Sequence, residues 1–252
     1  MVEDLKTRST HYNDEQGSVC AQMEKLDGQV VVAICTPLVQ RIHRGVQQSG
    51  ELVFVDSSGN CDRQNHRLFL ILTHSAAGGL PLGAIITTAE NSTTIAAGMR
   101  LWRSLLCPGS FFHQEDGPQT IMTDDCAALR QAMQEVFPKA TLILCTSHLL
   151  QAMWRWLWNS HNNIRKQHRP QLMHAFRALV YAASESQLST AYARLASSPV
   201  AVQYQSFVTH LAAVYRRRRE WAICLRSHLP TRGHNTNNFT QYMQLLDRDQ
   251  QL

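Results

Sequence analysis

Between Glu51 and Glu90 three strand-length apolar segments follow one another with only short turns between them. ELVFVDSSGN is a β-branched run that ends at Asp56 and enters a turn at Ser57-Ser58-Gly59-Asn60. RLFLILTH (67–74) is the second, Ala76-Ala77-Gly78-Gly79 a turn, and PLGAIITTAE (81–90) the third. Such short connections predict an antiparallel meander. The pattern then changes to an alternation. Asn91-Ser92 caps a helix through TTIAAGMRLWRSLL, which Pro108-Gly109 ends. QTIMT is a strand running into Asp124-Asp125, Asp125 caps the helix CAALRQAMQEVF, and Pro138 stops it. ATLILC (140–145) is a further strand, followed by the helix SHLLQAMWRWLW. Three strands, helix, strand, helix, strand, helix is an α/β order.

The flanks are read by contrast with this centre. Residues 1–28 show no sustained period and contain Asn13, Asp14 and Gly17, so a tail or connector is expected. Gln29 to Cys35 (QVVVAIC) has strand length and opens a core spanning 29–165. Stretches such as QLMHAFRALVYAA and FVTHLAAVYRRRREWAICL have helical spacing, and an all-helical insertion is expected over 166–230. In 231–252, TRGHNTNNFTQYMQLL leads from turn formers into a last core helix.

Composition narrows the function classes. The opening residues are charged and polar and no run of about 18 apolar residues occurs, which predicts a soluble, intracellular protein without a membrane partner. Seven cysteines without a CxxC pair disfavour a disulfide framework and a cysteine-only zinc site. The net charge of +5 conceals an asymmetry: 11 Lys/Arg against 15 Asp/Glu up to residue 150, and 13 against 4 after it. That division suits an enzyme holding cations at one place and a polyanion at another; a solvated basic face is the plainer alternative.

Asp56 and Asp124 both end predicted strands, where loops expose side chains on a fixed backbone. Two carboxylates brought together repel unless a hard cation bridges them, and Mg²⁺ or Mn²⁺ is the natural partner. The alternative for either aspartate is a helix cap or a turn. Cys145 and His148, three positions apart, supply two local metal ligands where structural zinc takes four; a core cysteine with an ordering histidine is the other reading.

ELVFVDSSGNCDRQNHRLFLILTHS, GGLPLGAII, GPQTIMTDDCAALRQAMQEVFPKATLILCTSHLLQAMWRWLW and TRGHNTNNF together resemble the Mutator-like element (MULE) transposases of the ribonuclease H-like superfamily, over about Val31 to Leu246. The resemblance implies a ribonuclease H-like mixed sheet flanked by helices, with the helical insertion before the last core helix. It implies Asp56 as the first metal ligand and Asp124 as the second, Asp125 in reserve, and Cys145-Thr146-Ser147-His148 as the family's Cys-x-x-His signature. The family's third acid follows TRGxNTNN(Y/F); here that place holds Gln241, which keeps an amide oxygen and loses the charge.

The implied function is metal-dependent cleavage and transfer of DNA strands during transposition, in the nucleus, with DNA and a possible second copy as partners. Gln241 supports the alternative of an inactive, transposase-derived DNA-binding or interaction remnant. Zinc is not expected within this chain. Arg216, Arg217, Arg218, Arg219 and Arg232 are the candidate phosphate contacts, with Trp221 as a stacking surface. Trp154, Trp156 and Trp158 form a second aromatic cluster, read either as a nucleic-acid surface or as core. GxSxG, GxGxxG and GxxxxGK[ST] are absent, which disfavours an α/β hydrolase or nucleotide binder.

Overall fold

The computed structural model describes residues 2–58 and 66–237. In chain order the first elements are α1 (Val2–Gln16), β1 (Ala21–Leu26), β2 (Gln29–Ile34), α2 (Pro37–Gly45), α3 (Gln48–Glu51), β3 (Leu52–Ser58), β4 (Arg67–Ser75) and β5 (Gly78–Thr87). There follow α4 (Ser92–Ser104), the short turn α5 (Ser110–His113), β6 (Thr120–Thr123), α6 (Ala127–Val136), β7 (Thr141–Leu144) and α7 (Thr146–Trp158). The remainder is helical: α8 (Arg169–Val180), α9 (Glu185–Ala196), α10 (Gln205–Arg216) and α11 (Arg218–Trp221).

One mixed seven-stranded sheet runs in the order β1-β2-β5-β4-β3-β6-β7. The predicted meander is present: β3 pairs antiparallel with β4, and β4 with β5. β6 adds to the other side of β3 in parallel, Leu52 opposite Thr120 and Phe54 opposite Met122. β3 is therefore interior to the sheet, and burial without alternation from Leu52 to Asp56 means that both of its faces are covered there.

Residues 1–28 are not a bare tail. They hold α1 and β1, and β1 forms a hairpin with β2 in which Leu26 faces Gln29. Asp27 (φ 47°) and Gly28 (φ 80°) form the two-residue loop, with the left-handed backbone that a type I′ turn requires at both positions. The strand AQMEKL lies at the sheet edge, and its alternation of apolar and polar residues stops after Glu24, so a sustained apolar period is not seen. The Asp-Gly pair was the available signal.

α4 packs on β2, β5 and α6. Asn91 caps it as expected, its side-chain oxygen accepting the Thr94 N–H at 2.8 Å. Close approach of helix and sheet depends on two glycines. A Cβ on Gly98 would lie 2.6 Å from the Ile85 side chain, and one on Gly83 2.1 Å from the Trp102 indole nitrogen. Beneath α4, His43 of α2 is wholly buried against Trp102 and Phe111 (centroids 5.8 and 4.9 Å). Its Nε2 donates to Leu82 O (2.9 Å) and its Nδ1 accepts the Phe111 N–H (3.5 Å), which defines a neutral tautomer. Burial lowers its pKa to about 4. Phe111, Phe112 and His113 all have left-handed φ (53°, 51°, 66°), a conformation costing about 1–2 kcal/mol per residue. The buried Phe111 ring anchors that turn among Trp102, Phe137 and His43.

The chain divides into two compact units within β7: residues 2–142 with Asn237 of the described part, and Ile143–Thr236. The sequence pattern places the boundary at 165/166. α7 packs on α8, and its inward residues Leu149, Met153 and Leu157 share a core with Phe176, Leu188, Phe207 and Trp221. Residues 145–236 contain no strand. The last core helix expected after Asn237 lies outside the described residues, as does Gln241.

Candidate functional site

Asp56 sits in β3, two residues beyond Phe54; Asp124 follows β6, two residues beyond Met122. Phe54 and Met122 are the last ladder partners of the parallel pair. Side chains alternate along a strand, so Asp56 lies on the face of Phe54, and continuing the register brings Asp124 opposite it on the neighbouring chain segment. Asp56 is 5% exposed and Asp124 is half-buried.

Asp124, not Asp125, takes the turn-forming role. Its Oδ1 accepts the Cys126 N–H at 3.1 Å, while α6 begins with Cys126 at the cap position and no side-chain cap bond from that residue. Asp125 is exposed. The reason is local: an Asp bonding the N–H two residues on closes an Asx turn, which places the strand-end aspartate at the helix entrance. Thr123 Oγ1 donates to Asp124 O (2.8 Å) and accepts from Arg130 Nη1 (3.2 Å), fixing this corner to α6.

In the second unit, Cys145 caps α7 and is fully buried, with Sγ 3.2 Å from Ser147 Oγ; His148 is half-buried in the same first turn. Thr146 donates through both N–H (2.9 Å) and Oγ1 (2.8 Å) to Asn235 O, tying the TRGHNTNN motif to the start of this helix. Arg226, which carried no signal in the sequence, completes the arrangement. It is 2% exposed and donates to Leu144 O, to Glu220 O (2.8 Å) and to Asn235 Oδ1 (3.3 Å). Burial lowers its pKa to about 10, with Cys145 opposing that shift. Among the described residues no group of three or more His, Cys, Asp and Glu gathers to hold a metal ion.

The arginine run is broken between two helices rather than wound around one. Arg216 ends α10, Arg217 follows it and Arg218 opens α11. Arg217 forms an ion pair with Glu220 (2.8 Å), and Arg218 lies 4.9 Å from the Tyr215 ring centroid. Arg216 and Arg219 are exposed, as is Arg232, at φ 47° in the turn preceding Gly233. Trp221 offers no stacking surface: it is wholly buried, donating from Nε1 to Val214 O (2.9 Å).

The molecule is thus a mixed α/β protein with Asp56 inside β3 and Asp124 just past the neighbouring β6, followed by a basic helical unit. Residues 64–152 match the family model of the MULE transposase domain. That span includes Asp124, Asp125, Cys145 and His148, and begins after Asp56. A comparison with curated proteins returns no match. Among the described residues no helix is long and apolar enough to cross a membrane.

Proposed function

We propose that this chain is a transposase-like protein that acts on DNA, with a ribonuclease H-like core in which Asp56 and Asp124 hold Mg²⁺ or Mn²⁺. The observation that supports the reading is the parallel β3–β6 register, which, continued two residues beyond Phe54 and Met122, would pair Asp56 with Asp124. Carboxylate oxygens fit a hard divalent ion, and an adjacent pair fits better than either alone. The family match over 64–152 supports the same assignment for Asp124. The meander β3-β4-β5, with β6 added beyond β3, supports the ribonuclease H-like core.

When bound, the metal would polarise a phosphodiester and lower the pKa of an attacking water. The chain's own contribution is positional. β3 and β6 fix the two carboxylates, the Asx turn at Asp124 holds its corner, and the positive helical unit supplies sequence-independent phosphate contacts through Arg216, Arg219 and Arg232. Localisation with DNA in a nucleus follows from this reading.

The test is nicking of supercoiled duplex by the purified chain with Mn²⁺. Nicking is expected to vanish with Asp56→Asn or Asp124→Asn and to rise at least about tenfold with Gln241→Glu, which restores charge at the third position. If neither the parent chain nor Gln241→Glu nicks with any divalent metal, the catalytic reading is rejected.

A further inference from the structure

The three tryptophans of WRWLW separate onto two faces of α7. Trp156 turns toward α10, stacked on His210 (centroids 4.5 Å, planes 3° apart) and against Phe207 (6.0 Å). Trp154 and Trp158, one helical turn apart, stack on each other with centroids 3.6 Å apart and planes inclined by 15°. Trp154 nevertheless remains 46% exposed. Arg169 brings its guanidinium carbon to 5.6 Å from the Trp158 centroid and is itself anchored by Nε donating to Ile164 O (2.9 Å).

A large exposed indole at the end of an ordered stack is an unpartnered apolar surface, and its surroundings say what would cover it. From residue 136 to 184 the sequence contains no Asp or Glu, whereas Arg155, Arg165 and Lys166 are exposed in the same stretch as the tryptophans. A second copy of this face would oppose like charges. A polyanion with flat, apolar faces matches both features, and single-stranded nucleic acid has that chemistry: bases stack on aromatic rings while basic side chains follow the backbone.

We propose that Trp154, Trp158 and Arg169 form a stacking platform for an unpaired DNA base, flanked by Arg155, Arg165 and Lys166 as phosphate contacts. The proposal rests on the reading that this chain acts on DNA and adds the substrate form: a strand with at least one base out of the helix. Bases inside an intact duplex already have both faces covered, so the platform discriminates by access to a free base face and not by sequence.

Affinity is measured in EDTA for a short single-stranded oligonucleotide of mixed sequence and for a relaxed, covalently closed duplex circle, which has no ends. Trp154→Ala is expected to weaken single-strand binding about tenfold and to leave circle binding unchanged, while Trp154→Phe, which keeps a ring, retains most of the affinity. The chain is also sedimented with and without Trp154→Ala. If the parent chain binds the circle and Trp154→Ala leaves single-strand binding unchanged, the platform is refuted and the DNA reading stands. Equal losses on both DNAs, or dissociation of an oligomer by Trp154→Ala, also overturn the platform. If the parent chain binds neither DNA, both readings fall.

Discussion

Asp56 and Asp124 each lie two residues past a partner of the same parallel ladder pair, Phe54 and Met122, and the proposed metal site takes that register as continuing to them. A divalent ion bound there stabilises the folded state by mass action. Mn²⁺ is therefore expected to raise the melting temperature by about 2–4 °C for each kcal/mol of binding energy, and EDTA to reverse it. Asp56→Asn should remove the metal-dependent part. An equal rise in the parent and Asp56→Asn chains would show that the ion binds elsewhere.

Acid should destabilise the first unit through His43. Its pKa is lowered from 6.5 to about 4 by burial, with the Leu82 carbonyl opposing the shift. The unfolded chain takes up the proton near pH 6.5 and the folded chain does not until near pH 4. Stability is thus complete above 6.5 and lost as pH falls between those values, by at most about 3 kcal/mol. Urea midpoints measured from pH 7 to pH 4 test this. His43→Gln should flatten that part of the profile, and an unchanged profile would discount His43.

Replacing Arg226 should be costly out of proportion to its place in a short loop. Its guanidinium serves the carbonyls of Leu144 and Glu220 and the side chain of Asn235. Arg226→Met leaves these buried acceptors unpaired, an expected loss of about 3 kcal/mol in urea unfolding. Arg226→Lys should recover little, because an ammonium cannot span acceptors that a planar fork reaches. Faster amide exchange at Thr146, whose N–H bonds Asn235 O, would locate the damage at the start of α7. A loss under about 1 kcal/mol in both variants would mean that water replaces the guanidinium there.

The order of strands and helices from Glu51 to Trp158 was legible because apolar spacing reports which local shape can bury a segment, and Asn91, Pro108 and Pro138 mark where helices start or stop. Asp124 was legible as a strand end for the same reason, whereas Asp56 is not one: β3 continues through Ser57 and Ser58, where the sequence predicts a turn, because both still pair with β4. β1 was not legible, since an edge strand has less to bury and AQMEKL shows no sustained pattern apart from the Asp-Gly turn after it.

What the sequence by itself determined is local: the α/β order, the positions of Asp56 and Asp124 on it, and a basic second half. Only the tertiary structure decided which surfaces those residues occupy. Strand pairing, which couples positions far apart in the chain, added β6 in parallel to β3. Packing against α10 turned Trp156 inward and left Trp154 exposed, although all three tryptophans of α7 have helical spacing. Burial singled out Arg226 among the many arginines of the basic half. Periodicity states that a helix has an apolar face, whereas what covers that face depends on contacts that no local stretch of sequence encodes.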